Sequence, residues 1–194
     1  MKIGRLLLRL IVGSLFFGHG TQKLFGWFGG HGLDATANMF DSIGMRPGSR
    51  NAVAAGLAEA GGGVGIALGL ATPLSASLLT ATMLTAINRV HLKNGPWVTN
   101  GGYEYNLVLI AAVLAIVDIG PGGLSLDHLL DNERTGPRWT LAALGLGVAG
   151  AAGAHFAAES YPAPVEAPAE ATAGASSYGD ASAPNESQEA GTAQ

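Results

Sequence analysis

The first long apolar run constrains this chain more than any other part of it. From Ile3 to Phe28 the only ionisable side chains are Arg5, Arg9, His19 and Lys23, and Trp27 stands where an interfacial aromatic belongs. Such a stretch reads as a transmembrane helix, because a backbone in hydrocarbon must satisfy its own hydrogen bonds. The basic start, with Lys2, Arg5 and Arg9, imitates a secretory signal. No small-x-small cleavage site follows it, so the expectation is an uncleaved first span. Further runs cover about Ala52 to Ala71, Pro73 to His91 and Tyr103 to Ile119. The last is short for a crossing of roughly 20 residues. A fifth, Trp139 to about Ala158, is nearly all Ala, Gly and Leu and only marginally hydrophobic.

The predicted fold class is therefore all-α: a four-helix transmembrane bundle with an added C-terminal helix. Residues 1–130 form the expected bundle, and 131–158 a linker and fifth helix. Residues 159–194 form an acidic Ala/Pro-rich tail, with too little apolar surface to fold. Thr72-Pro73 predicts a cap residue followed by proline at the first helical position, turning the second span tightly into the third. Between the first two spans, Asp34 is expected to cap a short helix from Ala35 to Ile43, with Gly44 stopping it. Two four-residue stripes, Gly61-Gly65-Gly69 and Gly145-Ala149-Gly153, predict close helix packing. The run Gly61-Gly62-Gly63 costs helix stability and suits a place where a ligand or another backbone comes near.

Composition agrees with a membrane protein. The 194 residues are 48 % hydrophobic and 12 % charged, where a soluble domain carries about a quarter charged residues. The net charge of −4 comes from the tail: Glu159, Glu166, Glu170, Asp180, Glu186 and Glu189 face no Lys or Arg there. Without them ten basic residues stand against eight acidic ones. No basic stripe exists, so nucleic acid is not an expected partner. The expected surroundings are the lipid bilayer, in a multi-pass protein of the cell membrane. Lys2, Arg5, Arg9, Arg134 and Arg138 against Arg46, Arg50 and Lys93 favour a cytoplasmic N-terminus, with the tail outside. The absence of cysteine removes disulfides, thiolate nucleophiles and Cys-ligated metals.

The chemistry lies in the ionisable residues embedded in these runs. His19 and Lys23 lie near the close of the first span, Glu59 inside the second, Arg89 and His91 at the close of the third, and Glu104 at the opening of the fourth. The segment order stacks all six toward one end. Charges in or near hydrocarbon are costly, so they usually face a bundle interior, pair and mark a site. His19, Gln22 and Lys23 share a helix face by their i, i+3, i+4 spacing. Their depth matches that of Glu59, so a Lys23–Glu59 or His19–Glu59 contact is expected. That contact reads equally as helix glue or as a proton-accepting site. Arg89 and His91 cannot both face inward on a regular helix, so the helix is expected to fray near His91. His31, His128 and His155 are assigned no role. A haem between His19 and His91 is disfavoured by the crowding Lys and Glu. A quinone suits the set better, needing a His or amide donor, a proton acceptor and aromatics such as Phe16, Phe25, Trp97 and Tyr103. The candidate site is His19, Gln22, Lys23, Glu59, Arg89, His91, Glu104 and Asn106, with no metal.

These residues also carry a likeness. His19-Gly20-Thr21-Gln22-Lys23-Leu24-Phe25-Gly26, Glu59-Ala60-Gly61-Gly62, Gly69-Leu70-Ala71-Thr72-Pro73, His91 through Asn94-Gly95, and Gly101-Gly102-Tyr103-Glu104-Tyr105-Asn106 occur in order. Over about residues 4–130 the chain resembles the DoxX family of small integral membrane proteins. The resemblance implies a four-helix membrane bundle. The family takes its name from a subunit of a terminal quinol oxidase and thiosulfate–quinone oxidoreductase, and some relatives join membrane oxidoreductase assemblies that handle thiol and oxidative stress. The expected function is an integral membrane subunit of a redox or respiratory assembly with protein partners and a quinone-type site. The alternative is a non-enzymatic membrane scaffold or small transporter, in which the cluster is structural or permeation-related.

Overall fold

A computed structural model describes residues 2–161, and within them every regular element is helical. The tail from Pro162 onward lies outside the described residues. The long helices are α1 (Ile3–Phe25), α3 (Gly48–Leu68), α4 (Thr72–Ala86), α5 (Glu104–Ile119) and α7 (Pro137–Glu159), with shorter α2 (Gly32–Ser42) and α6 (Leu126–Leu129). Three of them, α1, α3 and α7, are long and apolar enough to cross a membrane by length and composition. Helix α4 continues through a π-helical turn, Ile87–His91. Helix α5 has 16 residues, about 24 Å at 1.5 Å per residue, short of the roughly 30 Å hydrocarbon layer.

The distribution of polarity is that of a membrane protein. Leu7, Ile11, Leu57, Leu74, Val108 and Leu141 point outward, whereas Arg9, Thr21, Glu59, Thr80 and Asn106 are buried. A buried polar group in such a bundle is favoured by a partner inside the protein, because lipid offers none, and of these five only Thr80 lacks one among the described residues.

Helix α1 lies along α3, α3 also along α4, and α5 meets α4, α7 and α1. Glycine explains why α3 can sit between two neighbours. A Cβ placed on Gly63 would fall 2.5 Å from Phe17 N and 2.6 Å from Gly13 O of α1. One placed on Gly62 would fall 2.8 Å from the Leu79 side chain of α4. The glycine run therefore admits a neighbouring helix on each side, and Gly61 faces open space.

Of the predicted Gly61-Gly65-Gly69 stripe, Gly65 packs closely on Ser75 of α4 and Gly69 on Ser125 and Arg9, while the other close-packing stripes fall at registers the sequence spacing does not predict. On α1 and α3 they are Gly13 and Gly20 against Gly56, Ala60, Gly63 and Ala67. On α7, Gly145 and Gly153 have no neighbour within 4 Å, while Gly147 lies against Thr80 and Ser77, and Gly150 against Ala81. Every third or fourth residue of a Gly/Ala-rich helix is small, so spacing alone leaves the rotation of the stripe open. Contacts of α4 with α7 advance in the same direction along both chains (Ser77–Gly147, Ala81–Gly150, Arg89–His155). The C-terminal end of α7 thus reaches the end of the bundle where α1 finishes, and Ala158 packs with Phe40, Met45 and Ala52.

Two helix starts differ from expectation. Asp34 lies in the first turn of α2, with His31 at the cap position and no side-chain capping bond. At α4 the cap residue is Ala71, held at φ +42°, and Thr72-Pro73 form the first turn. The capping acceptor comes from a distant residue. Asp127, 1 % exposed, accepts from Ala71 N at 2.7 Å, Thr72 N at 2.9 Å and the Thr72 hydroxyl at 2.6 Å. A buried carboxylate at a helix N-terminus is favoured both by the free N–H groups and by the helix dipole. Beside it the buried Arg9 guanidinium donates to the carbonyls of Ala67, Pro121 and Leu124. These bonds tie the 120–130 hairpin to α1 and α3 at the N-terminal end of the bundle.

Candidate functional site

Helix α1 brings Lys23 to the last turn before Gly26, whose left-handed backbone (φ +70°) ends the helix. The α1–α3 crossing then sets the partner. Gly20 is so close to α3 that a Cβ there would fall 2.4 Å from Ala60 N, which brings the flank of α1 onto Glu59, near the midpoint of α3. The Lys23 ammonium donates to Glu59 Oε2 and forms an ion pair with it. The Glu59 side chain is 5 % exposed and that of Lys23 24 %, so the pair is sealed on the acid side and open on the amine side. Beside it His19 Nδ1 lies 3.1 Å from Gln22 Oε1, and the Gln22 amide donates to the Phe28 carbonyl at 3.3 Å. Those bonds fold the Trp27–Gly29 turn back over the end of α1. Phe25, Trp27 and Phe28 stay exposed as an aromatic rim.

The other expected site residues go elsewhere. Arg89 Nη2 donates toward His155 Nδ1 at 2.6 Å, and His155 Nε2 lies 3.1 Å from Glu159 Oε1. A guanidinium can only donate, so Nδ1 accepts and Nε2 carries the proton, giving a directed chain from Arg89 through His155 to Glu159. His91 follows the π turn, and its Nδ1 lies 2.7 Å from the Gly101 carbonyl, which also accepts from Asn94 at 3.1 Å. Glu104 accepts from Val98 N at 2.8 Å and donates its own N–H to Pro96 O at 2.8 Å, closing the 96–104 loop. Asn106 is buried, with its amide 3.4 Å from Met83 Sδ.

The eight residues lie between the middle of the bundle and the end where α1 finishes, and they form four groups rather than one, Asn106 standing apart, buried against Met83. Lys23–Glu59 with His19 and Gln22 lie between α1 and α3. Arg89 lies between α4 and α7. His91 and Glu104 each brace the 92–104 connection. In place of the fraying expected near His91 the helix continues as a π turn, which adds one residue to the α4 path and separates the faces of Arg89 and His91. Among the described residues no group of three or more His, Asp or Glu is placed to hold a metal ion. His155 escaped the sequence reading, because its partner Arg89 lies 66 positions away and no local spacing links them. Arg9 and Asp127 escaped it for the same reason.

A family model described as DoxX matches residues 4–92. The chain is 37 % identical over 126 residues to a Bacillus subtilis (strain 168) protein named "Putative oxidoreductase CatD", a match covering 65 % of this chain and 86 % of that protein. No solved structure matches the chain significantly.

Proposed function

Because this chain belongs to the DoxX family, we propose that it is the membrane-embedded subunit of a redox assembly in the cell membrane, its N-terminus cytoplasmic. In this reading Lys23 and Glu59 form the proton-handling element of a quinone-type site. The observation that carries the site is the Lys23–Glu59 pair: a carboxylate 5 % exposed inside a membrane helix, opened on one side through a lysine that reaches the surface. Quinol oxidation releases protons, and such a carboxylate is suited to accept one and pass it outward. Gln22 keeps one amide N–H to donate to a quinone carbonyl, His19 gives its Nδ1–H to Gln22 Oε1 and so offers Nε2 to accept from a quinol hydroxyl, and the Phe25-Trp27-Phe28 rim supplies aromatic surface at the mouth. The oxidoreductase in the relative's name supports the redox assignment. With no cysteine, the chain contributes a membrane anchor and ligand site, and any thiol chemistry belongs to a partner. The test is purification of the intact assembly from native membranes through a tag on this chain. Co-purification of a redox-active protein is the expected result. A chain that runs alone, without redox activity, argues against the reading.

A second reading has its own support. The pair lies beside a close helix crossing, at Gly20 against Ala60, where an ion pair can act as a staple in a scaffold or small transporter. Lys23→Met combined with Glu59→Leu separates the two. A staple is replaced by apolar packing and function survives, whereas a proton-handling site is lost in a protein that still folds.

A further inference from the structure

A groove of about 430 Å³ opens on the outer surface of the bundle between the π turn and α7. Its walls are mainly apolar, with Leu84, Ile87 and Leu92 beside Thr85 and Asn88 on one side and Val148 and Phe156 on the other. Arg89 and His155 stand among them. The π turn widens α4 at this level, and the small residues of α7 keep the opposite wall low. The volume is that of a site for one small or single-chain ligand.

Arg89 is the unusual member. Of its five N–H donors, one meets a protein acceptor among the described residues, the imidazole of His155. Its Nε is buried and without a partner. No carboxylate lies within ion-pair distance of it among the described residues, and Glu159 is reached only through His155. Its other close neighbour is Gly44, which approaches Nη1 and supplies no acceptor side chain. A guanidinium with unspent donors in a membrane-facing groove needs an acceptor, and lipid tails offer none.

We propose that this groove binds an anionic phospholipid of the surrounding bilayer, the headgroup phosphate on the Arg89 fork and one acyl chain along the apolar walls. Two features favour this occupant. The planar guanidinium matches two phosphate oxygens with paired donors. The groove lies on the outer surface, open toward the bilayer and with Arg89 near the end of the span, at the level where headgroups begin. The proposal is independent of the redox reading, since neither Lys23 nor Glu59 lines the groove.

The test uses the full chain in detergent, stripped of lipid and titrated with phosphatidylglycerol or phosphatidylcholine, with bound lipid counted by native mass spectrometry. The wild type is expected to hold one phosphatidylglycerol per chain, at least tenfold tighter than phosphatidylcholine. Arg89→Gln should weaken phosphatidylglycerol tenfold or more. Because Arg89 also ties α4 to α7, a second variant is needed: Ala152→Trp, at an exposed position, fills the groove and leaves Arg89 in the sequence. It should abolish the one-lipid peak while keeping the melting temperature. Glu59→Gln should bind lipid as the wild type does, even where the redox reading fails. Equal retention of the two lipids by the wild type, or full phosphatidylglycerol binding by folded Ala152→Trp, overturns the proposal.

Discussion

Removing Lys23 should damage the bundle more than removing Glu59, although both substitutions break the same ion pair. In Lys23→Met a carboxylate that is 5 % exposed stays in the interior without its cation. Breaking a buried pair in this way costs about 3–5 kcal/mol. In Glu59→Leu the survivor is an ammonium that is already 24 % exposed on a flexible stem in the last turn of α1, and it can extend to the interface. Its cost falls to about 1–3 kcal/mol, the range for a polar group left unsatisfied. The double variant replaces the pair by apolar side chains and should return to within about 1 kcal/mol of the wild type. The assay is reversible unfolding of all four proteins in mixed detergent micelles, followed by circular dichroism. The order expected is wild type near the double variant, then Glu59→Leu, then Lys23→Met. A double variant that costs the sum of the two singles, or a Glu59→Leu worse than Lys23→Met, refutes the reasoning.

Three further outcomes follow from the geometry. Gly20→Ala and Gly63→Ala should each destabilise by about 1–3 kcal/mol by overpacking the α1–α3 crossing, whereas Gly61→Ala should be neutral or stabilise by up to about 1 kcal/mol, all read by unfolding in detergent. Asp127→Ala should lower stability by about 2 kcal/mol by uncapping α4, and Asp127→Asn by less; equal melting temperatures for Asp127→Ala and wild type would remove the cap from the account. Glu104→Ala should leave global stability within about 1 kcal/mol but speed proteolysis between Trp97 and Gly102, since its carboxylate closes that loop.

The helical membrane character was legible in the sequence because it depends on local quantities, namely apolar run length, charge placement and punctuation such as Gly26, Gly44 and Gly120. The Lys23–Glu59 contact was legible too, since matched depths on consecutive antiparallel spans leave few alternatives. What stayed hidden depends on helix rotation and on long-range meetings. A stripe of small residues does not reveal which glycine faces the neighbour, so Gly147 and Gly150 could not be told from Gly145 and Gly153. Nor could His155 be matched to Arg89, because α7 runs parallel to α4 and its register is set by packing. The cap of α4 shows the same limit: Thr72-Pro73 has the local pattern of a helix start, yet a carboxylate 55 residues later captures the free N–H groups. The separation of Arg89 from Lys23 and Glu59 follows from its turning toward His155 of α7, a partner 66 positions away that no local spacing marks.

The central claim, that the Lys23–Glu59 end of the bundle takes part in quinone chemistry, is tested most directly by titrating the purified full-length chain with a short-chain quinone and following intrinsic tryptophan fluorescence, in the wild type and in Glu59→Gln. Trp27 lies in the aromatic rim next to the pair and should report binding there. The account predicts saturable quenching in the wild type and a curve shifted at least tenfold in Glu59→Gln, with the helical spectrum unchanged. Superimposable curves for the two proteins, or quenching that never saturates, would contradict it.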